Sequence, residues 1–444
     1  PALIIATSAG LVITKSAGGN SLDTDMKAQI FSNPRALGTV SGAVFLFALV
    51  PGMPFVPFLV LSIILGIGAV ASKKKRELEE QANKPEEIIS TQTEEKVEQY
   101  LQVDPIEVEI GYGLISLVDE SQGGNLFQKI TATRKYIALE YGILVPPVRV
   151  RDNLQLEPNQ YIIKIKGNVV SSFGIYTDRY LAMNPGHVSE ALKGIPTTDP
   201  AFGMQAYWIN SQEKDRADLL GYTVVDSISV LSTHLQETLK KNFEKILSRQ
   251  AVKNLLENLK KEYPAIVEDV NPYILPLGSV QKVIQNLLRE LIPVKDLALI
   301  LEALVDYSKV TKNIDVLTEY VRHTLGETIA NLYKDHNGII HAVALDTHIE
   351  EVISTALQNQ KDAAHNLGLS PDMLKNLNQT LVNNMENFRM LGYQPVIITS
   401  ATIRPYFYKL IHSSFPDFII LSYTELPSDV EIEFISKLEV EYAN

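Results

Sequence analysis

Between Arg35 and Lys73 the chain carries no ionisable side chain, and an uncharged stretch of this length exceeds the roughly 20 residues that span a bilayer. Pro51, Gly52, Pro54 and Pro57 interrupt it. Proline removes helical hydrogen bonds, so the pattern predicts two legs and a turn, a transmembrane helical hairpin over about residues 36–72. Leu37–Val50 would rise about 21 Å and Phe55–Ala71 about 25 Å, both short of a hydrocarbon core near 30 Å, so local thinning or neighbouring helices are required. Arg35 before the first leg and Lys73, Lys74, Lys75 and Arg76 after the second assign both ends to the cytoplasmic side. Residues 1–14 are apolar and rich in small side chains, the composition that lets membrane helices pack closely. Their start in mid-run, without an initiator Met, predicts earlier spans upstream of Pro1. No basic n-region precedes the run, which disfavours a cleaved signal peptide. The competing reading is a pair of buried helices in a soluble core.

The formal charge of −12 is unevenly spread: residues 1–72 carry one net positive charge and the rest of the chain thirteen net negative ones. An acidic surface does not track phosphates, so nucleic acid is not an expected partner. The absence of cysteine excludes disulfides, thiolate zinc sites and cysteine nucleophiles. Residues 73–103 (KKKRELEEQANKPEEIISTQTEEKVEQYLQV) have no sustained apolar face and read as a charged tether. Near its end Val97, Tyr100 and Leu101 fall at i, i+3 and i+4, one side of a helical turn able to dock on a neighbouring surface or on its own domain.

The acidic portion reads as a multi-subdomain α/β region. Ile106–Val118 and Gln160–Gly167 alternate as strands, with helical spacing over Leu126–Tyr141 ending at Gly142. Turn-rich sequence over Tyr176–Asp226 suggests an inserted unit, and Ser227–Phe243 returns to the first as a helix. Residues 249–333 read as helices punctuated by Pro264, Pro272, Pro276 and Pro293. After Gly338 the pattern is again α/β: strand IIHAVAL, helices over Thr347–Gln358 and Asp372–Leu391, strand PVIITS, helix Thr402–His412 and strand DFIILSY. The expected divisions are a membrane segment 1–72, a linker 73–103, an α/β subdomain 104–177 plus 227–246, an inserted subdomain 178–226, a helical subdomain 247–326 and a C-terminal α/β subdomain 327–444.

No catalytic constellation stands out. A phosphate-binding loop and a G-x-S-x-G elbow are both missing, and Gly111-Tyr112-Gly113 reads as a bulge or a close backbone approach. A membrane-tethered metal-dependent hydrolase would need His336, His341 and His348, with Asp346 and Glu350, on convergent faces. No cofactor or metal is expected. What remains is a surface: in IPTTDPAFGMQAYWI, a loop carrying Asp199 and Phe202 suits recognition of a peptide. The alternative makes Asp199 a turn or cap residue and Phe202 and Trp208 core.

Taken together, PALIIATSAGLVITK, LVPGMP, GYGLISLVD, PPVRVRDNLQLEPNQYIIKIKG, LAMNPG, DPAFGMQAYWI, GYTVVDSISVLSTHL, LQNQKDAAHNLGL and PVIITSATIRPYF resemble the FHIPEP family, the export gates of flagellar type III secretion. The resemblance covers essentially the whole chain. It implies a multi-pass inner-membrane protein whose large cytoplasmic domain forms a homo-nonameric ring. That ring docks export chaperone–substrate complexes beside other gate and export-ATPase components, without catalysis of its own. It implies that Asp199, Phe202 and Thr233 line the chaperone-docking hollow, with Phe202 giving apolar area, Asp199 a charge-assisted acceptor and Thr233 a small polar wall. It also implies that the linker end, Val97 with Tyr100 and Leu101, contacts the next subunit, although Val97 stands where relatives often carry Trp. The homologous gate of a virulence injectisome is the nearest alternative.

Overall fold

The computed structural model describes residues 103–438 apart from 187, 271 and 360–368, together with 39–46 and 56–67 apart from 43, 58 and 61. Residues 1–100 form one unit and 101–444 another. In the first unit the described residues are helical. Ser41 Oγ donates to the Ser62 carbonyl at 2.9 Å, and Ser62 Oγ donates to the Ser41 carbonyl at 3.1 Å. Phe45, Leu46, Val56, Val60, Ile63, Ile64 and Ile67 are exposed around this contact. Among the described residues no helix is long and apolar enough to cross a membrane. The turn expected at Pro51–Pro57 lies largely outside the described residues, and the linker contact residues Val97, Tyr100 and Leu101 lie wholly outside them.

The second unit opens with a sheet whose strands are Ile106–Ile110 (β1), Val148–Asp152 (β2), Gln160–Ile165 (β3) and Asn168–Gly174 (β4), in the order β2-β1-β3-β4. Strand β1 pairs parallel to β2 and antiparallel to β3. The strand expected over Ile106–Val118 stops at Ile110, and Tyr112–Leu117 forms a 3-10 helix instead. The reason is a close backbone contact made far along the chain. A Cβ on Gly111 would overlap the Glu157 carbonyl oxygen, so glycine lets the two backbones touch, and the Gly111 and Gly113 amides donate to the carbonyls of Gln160 and Pro158 at 2.8 and 2.9 Å. Helix α1 (Leu126–Tyr141) buries Leu126, Ile130, Ile137 and Tyr141 and ends at Gly142.

A second, antiparallel sheet follows, made of β5 (Arg179–Met183), β6 (Ile195–Thr198), β7 (Gln205–Asn210) and β8 (Thr223–Asp226) in the order β6-β7-β5-β8. With α2 (Lys214–Leu219) it has a small core of its own around Ala182, Leu192, Ile209, Ala217 and Tyr222. Asp226 closes β8 and caps α3 (Ser227–Lys241) by accepting from the Ser229 amide at 2.9 Å. Helix α3 packs beside α1, and its buried stripe of Val230, Leu231, Leu235 and Leu239 joins the main core.

Helices α4 (Phe243–Ile246), α5 (Arg249–Leu259), α6 (Pro264–Asp269), α7 (Leu277–Arg289), α8 (Leu297–Tyr307), α9 (Ile314–Thr324) and α10 (Gly326–Tyr333) fill the next segment. The last segment holds β9 (Ile339–Leu345), α11 (Thr347–Asn359), α12 (Pro371–Leu391), β10 (Val396–Thr399), α13 (Arg404–Ile411), β11 (Ile419–Ser422) and β12 (Glu431–Leu438). Its sheet, β11-β10-β9-β12, is wholly parallel. Alternate residues serve two cores: Ile340, Ala342, Val396, Ile398 and Leu421 face the main one, while Val343, Leu345, Ile397 and Ile420 face a separate one. Burial on both faces explains why these strands read as unbroken apolar runs.

A buried ionic cluster joins the helices to this sheet. Arg322 in α9 donates to Glu425 through Nε at 2.8 Å and Nη2 at 3.0 Å, and to Glu290 through Nη1 at 2.7 Å. Arg404, at the start of α13, donates to Glu319 through Nε at 2.6 Å and to Glu290 through Nη1 at 2.7 Å. Burial alone would raise the Glu290 carboxyl, but the two guanidinium charges hold it below its usual range. Burial wins at Glu319, which is pushed up despite Arg404. Removing one partner strands buried charge, at a cost of about 3–5 kcal/mol. Arg322→Met is therefore expected to lower the stability measured by urea unfolding by about that amount. Lys253→Met, which breaks only the exposed Lys253–Glu257 pair, should change it by less than about 1 kcal/mol.

Candidate functional site

The loop between β6 and β7 is built by its own backbone. The Asp199 amide donates to the Met204 carbonyl at 2.8 Å and the Gly203 amide to the Asp199 carbonyl at 2.9 Å, a tight reversal in which Gly203 adopts φ +71°. The Asp199 side chain is only 4% exposed. Its Oδ2 accepts from the amides of Ala201 at 3.1 Å and Phe202 at 2.6 Å, an Asx turn. Phe202, held by that carboxylate, is 57% exposed while Ala201 beside it is buried. Asp199 thus acts in this loop as a turn residue, with Oδ2 taken up by the backbone. Phe202 is not core. Trp208 is: it lies fully buried in β7, edge-on to Tyr176 at 5.6 Å.

Thr233 lies half-buried on α3, and its neighbour His234 ties three elements together. Tyr161 Oη from β3 is 2.7 Å from His234 Nδ1, and Ser171 Oγ from β4 is 2.7 Å from Nε2. Phe173 packs edge-on against both rings. Both ring nitrogens are satisfied, one as donor and one as acceptor, as a neutral imidazole requires. Burial, with the Lys241 charge adding to it, lowers the His234 pKa to about 4. Burial also pushes the Tyr161 hydroxyl well above its usual pKa, and the Asp199 carboxylate adds to that push. The Asp199 carboxylate thus acts electrostatically on Tyr161, the partner of His234.

Between the first two sheets runs a cleft of about 410 Å3, lined by Gln160, Ser172 and Phe173 on one side and by Ile195, Thr197 and Trp208 on the other. Strand β6 forms one wall and leads directly into the Asp199–Gly203 turn. Phe202 supplies exposed apolar area at the end of that strand. The arrangement offers shape and apolar contact.

The histidines considered for a metal site do not converge. His341 is buried, stacked on Tyr393 at 3.7 Å and 3.3 Å from Asp335, whereas His336 and His348 are exposed. Glu350 accepts from Thr399 Oγ1 at 2.5 Å and from the Ser400 amide at 2.8 Å. Among the described residues no group of three His, Asp or Glu side chains could hold a metal ion.

The His234 knot was not anticipated, although a signal exists: His234 sits on the apolar stripe of α3 beside Leu231 and Leu235, where a polar ring must find partners. The neutral ring is required when folded, while the unfolded ring protonates near pH 6.5. Its contribution is therefore fully present above about 6.5, is lost as pH falls toward 4, and changes no further below that. The loss should reach about 3 kcal/mol. Urea unfolding from pH 7.5 to 4 should show a flatter stability profile for His234→Gln than for the unsubstituted protein, over that window.

The model of the FHIPEP family matches residues 1–431. The chain is 36% identical over 444 residues to the flagellar biosynthesis protein FlhA of Bacillus subtilis, covering 99% of this chain and 65% of that protein. It is 34% identical to the FlhA of Escherichia coli over 441 residues, covering 99% of this chain and 63% of that protein. It thus spans just under two thirds of the length of these relatives. Among solved structures, the Chlamydia pneumoniae CdsV protein matches with a TM-score of 0.68 at 25% identity, over 76% of this chain and 98% of that one. The nonameric EPEC SctV-C matches in fold with a TM-score of 0.61 at 20% identity, over 76% of this chain and 98% of that one.

Proposed function

The chain belongs to the FHIPEP family, and from that premise we propose that it is the membrane-hairpin and cytoplasmic part of a flagellar protein-export gate, receiving chaperone–substrate complexes by docking rather than by catalysis. The observation that carries this reading is the exposed Phe202, held at the end of β6 by a carboxylate that serves its own loop, beside a cleft between two sheets. Phe202 supplies the apolar anchor, Thr233 a polar edge, and Asp199 fixes the pose of Phe202. An aromatic anchor of this kind dominates many interfaces. The flagellar branch is favoured over an injectisome because the flagellar relatives are 36% and 34% identical, against 20–25% for the injectisome-type structures.

Membrane attachment is supported by the Ser41–Ser62 contact, which joins two helical legs through small polar side chains while large apolar ones remain outside. On this reading those outer residues face lipid, both ends of the hairpin face the cytoplasm, and the acidic portion hangs below the inner membrane. A ring of nine copies is proposed on the likeness in fold to the nonameric EPEC SctV-C. In that ring the linker residues Val97, Tyr100 and Leu101 contact the next subunit. Export-ATPase components and other gate proteins complete the set of proposed partners.

The test is binding of the purified protein to flagellar chaperone–substrate complexes, measured by calorimetry. Phe202→Ala should weaken affinity about tenfold or more. It should leave thermal stability almost unchanged, because an exposed side chain adds little to the core. Asp199→Ala should weaken binding and also loosen the loop. Unchanged affinity in both Phe202→Ala and Thr233→Ala would remove the docking assignment.

A further inference from the structure

Three four-stranded sheets leave six edge strands among the described residues. An edge strand offers unpaired N–H and C=O groups to any other chain, and folded proteins blunt it with charge, proline, a bulge or a cover. All but one are blunted here. Strand β2 carries Arg149, Arg151 and Asp152, and β12 carries Glu431, Glu433 and Lys437 with a break in register between Phe434 and Ser436. The Ile420 carbonyl of β11 accepts from Arg322 at 3.3 Å and from Arg404 at 3.4 Å. Strand β8 has four residues and runs straight into α3. Strand β6 holds Pro196. The Asp199 amide donates to the Met204 carbonyl opposite it, so bonding to β7 alternates back through Thr197 and Ile195. Pro196 therefore stands at a position turned away from β7, where proline removes the outward N–H.

Strand β4 is the exception. Its seven residues, NVVSSFG, include neither charge nor proline, and its irregularity falls near the start, between Val169 and Ser171. The Ile175 amide donates to the Asn159 carbonyl opposite it at 2.8 Å. Phe173 and Ser171 therefore bond inward to β3, and the backbone N–H and C=O groups of Ser172 and Gly174 point out of the sheet. Both residues are exposed, and both line the cleft whose other wall is β6. The two edge strands that line this cleft are thus built in opposite ways, one closed by proline and one left open.

The open edge selects the occupant. Outward groups on alternate residues are matched by the backbone of an extended peptide, which repeats with the same spacing, whereas a helix has its backbone bonded internally. Phe173, Tyr176, Ile195 and Trp208 also line the cleft, and the one charged side chain there is Glu157. Apolar side chains at alternate positions suit that lining, and an acidic one does not. Building on the docking of chaperone–substrate complexes described above, we propose that an extended segment of the incoming polypeptide adds to the first sheet beside β4, bonded to the backbone of Ser172 and Gly174.

The test titrates the full chain in detergent with a flagellar chaperone–substrate complex by calorimetry and follows amide hydrogen exchange, residue by residue, with and without the complex. The Ser172 and Gly174 amides should exchange fast in the free protein and slow by about tenfold or more in the complex, while those of Phe173 and Ile175 are slow in both. Ser172→Pro removes an N–H that β3 does not use, and Ser171 before it is already extended. It should weaken binding about tenfold or more and leave the thermal midpoint nearly unchanged. Ser172→Ala keeps the amide and should bind about fivefold or more tightly than Ser172→Pro. Should Ser172→Pro fail to fold, the exchange of the unsubstituted protein decides alone. Binding that Phe202→Ala weakens, but that leaves the Ser172 and Gly174 amides fast, overturns the added strand and keeps the docking reading. Equal affinity of folded Ser172→Pro and Ser172→Ala overturns the added strand as well. A complex that does not bind the unsubstituted protein removes both readings.

Discussion

Two guanidinium groups and three carboxylates withdrawn from water at one junction set the terms for how the helical segment meets the last sheet. Arg322 and Arg404 are almost wholly buried, and each must meet carboxylates whose positions come from separate elements: Glu290 at the end of α7, Glu319 in α9 and Glu425 after β11. Such a cluster adds little net stability over an apolar replacement, because desolvation offsets most of the attraction. It does demand one geometry. Helices α7 and α9 can sit against α13 and β11 only in the arrangement that leaves no charge alone. The apolar core, which is continuous across the same junction, supplies the driving force but is less particular about register.

The first sheet and α3 solve a similar problem without net charge. His234 is buried neutral between Tyr161 and Ser171, so α3 is pinned to β3 and β4 by two short hydrogen bonds rather than by ion pairs. Neutral partners carry a smaller desolvation cost. The Asp199 carboxylate acts electrostatically on Tyr161 in the same knot. The second sheet keeps a small core of its own. Phe202 is displayed by a turn whose carboxylate and amides are already bonded to each other, which lowers the entropy lost when a partner covers it.

Much of this was legible from residue order, for identifiable reasons. Helix α1 was expected over the residues it occupies because its apolar spacing ends at a glycine that takes the left-handed conformation. Strands β9, β10 and β11 were visible as apolar runs because both of their faces are buried. Strands β2 and β12 were not. VRVRD and EIEFISKL mix charge with apolar side chains at sheet edges, and their identity rests on pairing with β1 and β9, which local pattern does not reveal. The strand drawn through Ile106–Val118 was too long because the contact that stops it, Gly111 against Glu157, is distant in sequence. At the loop, spacing left Phe202 and Trp208 undecided between core and surface, and only the packed sheet separates them. The ion cluster was hidden for the same reason: Arg322 lies on the buried stripe of α9 and reads as a solvent-facing charge until its partners are in place.

The perturbed groups of the described residues stand where structural bonds take them up. A catalytic acid or base needs an atom free to reach a substrate, and strongly shifted groups often mark such sites. Among the described residues the shifted side chains are mostly spoken for: Glu290 and Glu319 by arginines, His234 by two hydroxyls, and Asp335, with a pKa near 2, by backbone amides and His341. Their shifts record structural bonds. The notable departures are Tyr408 and His412, whose buried hydroxyl and Nδ1 have no partner.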